Sequence, residues 1–152
     1  MGLDQKIAFL GGGNMAEALI KGILAAGVAQ ADRMIVNDVS EERLDHLQKA
    51  FGIVVQKSQK DAASAADIIL LCVKPQVMDA VLARIDPVAD TEKLVISVAA
   101  GVTISRIEKL LTKKPRVIRV MPNTPALVLS GAAGLAAGTT STVVDMMIAQ
   151  QI

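Results

Sequence analysis

Six consecutive residues, Gly11-Gly12-Gly13-Asn14-Met15-Ala16, form the pattern G-x-G-x-x-A. They follow an apolar run, Lys6 to Leu10, that reads as a strand, and they open a stretch with helical periodicity. In that setting Gly11 allows a tight turn, Gly13 lets the backbone approach a diphosphate, and Ala16 keeps the helix close to the strand. The helix N-terminus adds unpaired N–H groups and positive partial charge. No Gly-Lys-Ser/Thr follows, so the pattern is not a P-loop. A Gly-rich turn alone would be a weak signal. Between a strand and a helix it predicts a dinucleotide-binding turn.

Asp38 lies 22 residues beyond Ala16, at the end of the second apolar run, Met34 to Asn37. An acid there can accept hydrogen bonds from adenosine ribose hydroxyls and repel a 2′-phosphate. The plainer alternative is a solvated loop acid. Arg43, one helical turn further on, could soften that repulsion. Val73-Lys74-Pro75 closes a continuous apolar run, Ile68 to Val73, and ligands of open α/β sheets collect at such strand ends. Met121-Pro122-Asn123-Thr124-Pro125 follows the run Arg116 to Met121. Its two prolines fix the backbone and remove donors, which suits an apolar ring lying against the turn. Taken singly, the last two motifs read more simply as a surface lysine and a rigid turn.

Other chemistries lack their residues. One histidine and one cysteine cannot build a Cys/His zinc site, so no metal is expected. A Ser-His-Asp triad would depend on His46, which falls on the polar side of a helix. Cys72, inside an apolar strand, reads as a packing residue. Aromatic residues make up 1% of the chain and net charge is +1, so neither stacking nor a basic footprint points to nucleic acid. The first residues show no basic and then apolar leader, and apolar runs stop short of a membrane span. A single cysteine suits a reducing compartment, so a cytoplasmic protein is expected.

Short apolar runs alternate with helical patterns through all 152 residues, which predicts an α/β fold. The expectation is a Rossmann-type doubly wound, mostly parallel sheet with helices on both faces. At least six parallel strands are expected, with the first central. Met15, Leu19 and Ile23 share one helix face with Ile20 and Leu24, and Gly27 suits its C-terminus. Ser40 reads as an N-cap, with Glu41 and Glu42 in the first turn. Strands are expected over Ile53 to Val55 and Leu94 to Val98, and helices over Asp61 to Ala66 and from Val77 to Ile85. Thr103 opens another helix, and Gly131 to Gly138 reads as a weaker strand. Val144, Met147, Ile148 and Ile152 start an amphipathic helix after Ser141. The pattern stops at Ile152 without a cap, so a truncated domain spanning residues 1–152 is expected.

The segments IAFLGGGNMAEALIKGIL, CVKPQ, SVAAGVTISRIE and RVMPNTPALV together resemble pyrroline-5-carboxylate reductase, in the same order across nearly the whole chain. The last two are more specific than the glycine pattern. The resemblance implies reduction of Δ1-pyrroline-5-carboxylate to L-proline, the final step of proline biosynthesis, with NADPH or NADH. It implies hydride transfer from nicotinamide C4 to the imine carbon. It places cofactor contacts at Gly11, Gly12, Gly13, Asn14, Met15, Ala16, Asp38, Gln59, Cys72, Val73, Lys74, Pro75, Val98, Ala99 and Ala100. Met121, Pro122, Asn123, Thr124 and Pro125 would lie by the nicotinamide and the substrate. No side chain stands out as a general acid. Lys74 is the only ionisable candidate in these motifs.

Two departures from the family pattern matter. The resemblance implies a second, all-helical domain that makes a homo-oligomer and grips the substrate carboxylate, and these 152 residues are expected to stop before it. Asp38 stands where NADPH-preferring members carry a small polar or basic residue, and Gln59 replaces a frequent Asn. NADH is therefore expected to bind at least as tightly as NADPH. A dinucleotide-binding module without turnover and a related imine or ketone reductase are the alternative readings.

Overall fold

The computed structural model describes residues 2–122 and 132–152. The centre of its sheet is assembled from runs that are apolar at nearly every position. Strands β1 (Ile7–Leu10), β4 (Ile68–Leu71) and β5 (Leu94–Ser97) are buried along their whole length. Both faces are covered, and burial on both faces is why these runs do not alternate with polar residues. Ile7, Phe9, Ile68, Leu70 and Ile96 fill one layer, beneath helices α1 (Asn14–Ala25), α2 (Glu41–Phe51) and α6 (Val143–Gln151). Ala8, Leu10, Ile69, Leu71 and Val95 fill the other, beneath α3 (Gln59–Ala65), α4 (Met78–Ile85) and α5 (Ile104–Leu110).

With β2 (Met34–Asn37), β3 (Val54–Val55), β6 (Arg116–Pro122) and β7 (Ala133–Ala137), the sheet order is β3-β2-β1-β4-β5-β6-β7. β1 to β6 pair in parallel, and β7 runs antiparallel to β6, with Val120 opposite Leu135. This is the expected Rossmann-type α/β sheet. The chain leaves β1 to one side for β2 and later returns to its other side for β4. The C-terminal ends of β1 and β4 thus flank the switch point, where such sheets bind ligands.

Local signals set most element ends. The side chains of Ser40 and Thr103 accept the Arg43 and Arg106 N–H groups and cap α2 and α5. Gly52 closes α2 with φ +68°, and Gly27 follows α1 with φ +67°. Other expectations need correction. On α1, Ile20 and Ile23 are buried together with Ala16, while Met15, Leu19 and Leu24 are only half-buried. Val77 is not an inward helical residue. Pro75–Val77 forms a 3-10 turn before α4, and Val77 is exposed. Asp38 follows β2 rather than ending it.

The last helix also faces differently. Its N-cap is Thr142, which shares a capping box with Asp145. Asp145 is fully buried and accepts a 2.7 Å bond from Arg116 Nη1, so α6 turns Asp145 and Ala149 inward. Val143, Val144 and Met147 are left exposed. An ion pair, not hydrophobic period, sets the rotation of this helix.

Candidate functional site

The glycine turn joins the two central strands. Gly11 has φ +98°, and a Cβ there would stand 2.8 Å from the backbone C and O of Cys72. Only glycine fits this crossing of β1 and β4. The Gly11 N–H donates to Asn37 O, and the Cys72 N–H donates to Leu10 O, each at 2.8 Å. Gly13 differs. Its φ of −74° is open to any residue, and a Cβ there would meet nothing within 4 Å. The space over Gly13 is therefore empty in the protein itself. Gly13 is also the N-cap of α1 and provides no side-chain acceptor, so the first amides of a 12-residue helix stay available to an anion. An exposed glycine beside uncapped amides is what a diphosphate needs.

A closed ring of hydrogen bonds ties this turn to the start of α2. The Gly12 N–H donates to Asp38 Oδ2 at 2.7 Å, and the Ser40 N–H donates to Asp38 Oδ1 at 2.9 Å. The Arg43 N–H donates to Ser40 Oγ, and Arg43 Nε donates back to the Gly12 carbonyl. Arg43 Nη2 also pairs with Glu17 of α1, whose other oxygen lies 3.2 Å from His46 Nε2. Burial alone would raise the Glu17 carboxyl pKa, but hydrogen bonds from His46 and Arg43 outweigh it and hold the carboxyl below its ordinary value.

A cleft of about 600 Å³ opens at the ends of β1, β2 and β4. Gly11, Gly13, Asp38, Gln59, Cys72, Val73 and Lys74 line it, joined by Val77, Val81 and Arg84. Beside it a hollow of about 380 Å³ is bordered by Asp38, Lys57, Ser58, Gln59, Lys60 and Arg84. Arg84 Nη1 donates to Gln59 Oε1 at 3.1 Å, and Lys57 pairs with Glu41. Burial pushes the Cys72 thiol up to about 12, so it is neither thiolate nor nucleophile at neutral pH.

The expected residues do not all meet in one place. Gly12 and Ala16 are buried behind the turn, Met15 and Pro75 are half-buried, and Asn14 is exposed on α1. Val98 and Pro122 line a separate cleft of about 800 Å³, with Ala18, Leu19 and Gly22 of α1 and the last residues of α6. Every described residue lining this second cleft is uncharged. Ala99 is buried, while Ala100 and Met121 are exposed, with the Met121 sulfur 3.3 Å from Arg119 Nη2. Asn123, Thr124 and Pro125 lie outside the described residues. Among the described residues no cluster of His, Cys, Asp or Glu could hold a metal. Sequence reasoning missed Glu17 and Arg84. Both look like ordinary charged helix residues, and only the packing of α1 on α2 and of α4 beside α3 brings them to the site.

Comparison with known proteins agrees with this geometry. The chain is 40% identical to pyrroline-5-carboxylate reductase of Methanosarcina acetivorans over 98% of its own length and 55% of that protein. It is 45% identical to the Haemophilus influenzae enzyme, over 85% of this chain and 47% of the relative. The chain thus spans about half the length of these relatives. Among solved structures, a pyrroline-5-carboxylate reductase from Coxiella burnetii superposes with a TM-score of 0.92 at 36% identity, covering 97% of this chain and 54% of the other. The Plasmodium falciparum enzyme with NADP bound gives 0.86 at 28% identity, over 98% of this chain and 54% of that one. The resemblance read from the motifs is borne out. A family model described as NADP oxidoreductase coenzyme F420-dependent matches residues 6–101, the stretch that holds the glycine turn, Asp38 and the Cys72 strand end, and the chain belongs to that family.

Proposed function

We propose that this chain is the cofactor-binding part of an NAD(P)H-dependent reductase that converts Δ1-pyrroline-5-carboxylate to L-proline. The observation that carries the reading is the cradle over Gly13, empty of protein atoms and set against the uncapped N-terminus of α1. The likeness to reductases of that name supports the substrate.

When bound, the reduced nicotinamide supplies the hydride. The Gly13 cradle and the α1 amides would hold the diphosphate. Asp38 would take the adenosine ribose, and Gln59 and Arg84 would border the adenine end. Cys72, Val73 and Lys74 would guide the cofactor across the strand ends towards Val98 and Pro122. The uncharged second cleft suits an apolar ring and keeps water away from it, which favours transfer to carbon over side reactions.

A substrate carboxylate needs a cation or several N–H donors, and no charged side chain lines that second cleft among the described residues. We assign the carboxylate grip to a part of the complete protein beyond these 152 residues, together with the contacts that make it a homo-oligomer. Residues 1–152 form one dinucleotide-binding domain in this reading. No described helix is long and apolar enough to cross a membrane, and we place the activity in the cytoplasm. The test compares NADH and NADPH oxidation by the imine for this chain and for the protein its gene encodes in full. This chain should bind cofactor yet turn over slower by orders of magnitude, because positioning contributes up to about 7–11 kcal/mol. Equal turnover would place the whole substrate site within residues 1–152. Failure of both proteins to reduce the imine would remove the assigned substrate.

A further inference from the structure

Arg43 is the only cation in the first turn of α2, after Glu41 and Glu42, and it sits five residues beyond Asp38. That turn flanks the edge where an adenosine ribose would meet Asp38. A guanidinium there could donate to a 2′-phosphate, yet two of its three nitrogens are bonded elsewhere. Nε is bonded to the Gly12 carbonyl and Nη2 to Glu17, with the Arg43 and Glu17 side chains only 25% and 30% exposed. Asp38 meanwhile occupies the Gly12 and Ser40 amides with its own carboxylate. The two backbone donors at this edge thus already serve an internal anion.

We propose that the Glu17–Arg43 ion pair sets the cofactor preference of this protein, by holding Arg43 away from the ribose edge so that the Asp38 carboxylate stands unopposed against a 2′-phosphate. This rests on the assignment of the cleft to a nicotinamide dinucleotide. Glu17 acts through Arg43 and is a specificity-determining residue that needs no contact with the cofactor. His46 supports it by holding the second Glu17 oxygen. NADH is then the tighter ligand, and NADPH becomes acceptable once Arg43 is released. Of the cations on the other bank, two are already bonded, while Lys60 borders the hollow beside Asp38. Lys57 is paired with Glu41, and Arg84 is bonded to Gln59.

The test is a titration of NADH and of NADPH by nicotinamide fluorescence, free of interference because the chain has no Trp or Tyr. The readout is the ratio of the two dissociation constants, since removing an acid near the diphosphate strengthens both. The wild type should favour NADH. Glu17→Ala should shift the ratio towards NADPH by about tenfold, the scale of one charge-assisted hydrogen bond to phosphate. Glu17→Gln should shift it less, and adding Arg43→Ala to Glu17→Ala should cancel the shift. Asp38→Asn serves as the reference. An unchanged ratio in folded Glu17→Ala, with a shifted ratio in Asp38→Asn, would overturn the role of the pair and leave the cofactor site standing. A wild type that favours NADPH would also overturn it. Absence of binding by either cofactor would overturn the cofactor site and the inference together.

Discussion

Two glycines of the same turn should respond to substitution in opposite ways. Gly11→Ala places a methyl 2.8 Å from the Cys72 backbone and 3.0 Å from Val73 N, on a residue with φ +98°. The backbone conformation costs about 1–3 kcal/mol, and parting the two central strands about 1–3 kcal/mol more. A total of about 2–6 kcal/mol is a large share of the roughly 5–15 kcal/mol that stabilises a domain. Melting should fall by at least roughly 5 °C. Gly13→Val breaks no contact, because nothing lies within 4 Å. It loses only the N-cap preference for glycine, about 1 kcal/mol, or roughly 2–4 °C. Its branched side chain instead fills the cradle assigned to the diphosphate. Overpacking of about 2 kcal/mol there weakens NADH binding roughly thirtyfold. Calorimetry and fluorescence titration on both variants separate the two effects. Wild-type affinity in folded Gly13→Val would refute the diphosphate site. Wild-type melting in Gly11→Ala would refute the close crossing of β1 and β4.

Asp145→Ala removes the buried partner of Arg116 and the acceptor for the Thr142 N–H and hydroxyl. It should cost about 3 kcal/mol, lowering the melting temperature by roughly 6–12 °C with cofactor affinity little changed; wild-type melting would contradict the buried ion pair. The Cys72 thiol, raised from 9.0 to about 12 by burial, should resist alkylation at pH 8 in the folded protein and react on unfolding. Because the unfolded thiol ionises first, its contribution to stability is complete below about pH 9 and is lost as pH rises towards 12; urea titrations between pH 8 and 10.5 check the sign, and a Cys72→Ala variant with the same pH slope would contradict it.

The parts of the fold visible in the sequence are those fixed by neighbours along the chain. The apolar run at Ile68–Leu71, the nearly apolar run at Leu94–Ser97, the caps at Ser40 and Thr103 and the stops at Gly27 and Gly52 depend on a few consecutive residues. The glycine turn belongs to the same class. Boundaries moved where a residue outside the window decides. The rotation of α6 depends on Arg116, 29 positions before Asp145. The place of Val77 depends on Pro75, which favours a tight 3-10 turn before α4 begins. Of the candidate site residues, Gly11, Gly13, Asp38 and the Cys72 strand end were legible because motif and strand end coincide, and Gln59 only through the family resemblance. Glu17 and Arg84 were not, since their meaning arises from contacts 26 and 25 positions away.

On the proposed reading, the contrast between the two ends of the first cleft would let one small domain hold a nucleotide while leaving the choice of phosphate adjustable. The diphosphate end is built from backbone: the Gly11 crossing, the open Gly13 and the uncapped α1 amides. Replacing a neighbouring side chain leaves these groups in place. The ribose end is built from side chains held to that backbone, with Asp38 bonded to the Gly12 N–H and Arg43 bonded to the Gly12 carbonyl. Gly12 thus receives an anion on one side of its peptide and a cation on the other. Moving either partner changes the charge presented to the ribose without moving the turn beneath it. An additional 2′-phosphate near a lone carboxylate feels repulsion of about 1 kcal/mol per charge at 4 Å in water, and more where water is displaced. A freed guanidinium at similar distance reverses that sign. On the proposed reading a change of cofactor preference requires no change in the glycine turn, only in the charge that Asp38 and Arg43 present at the ribose end.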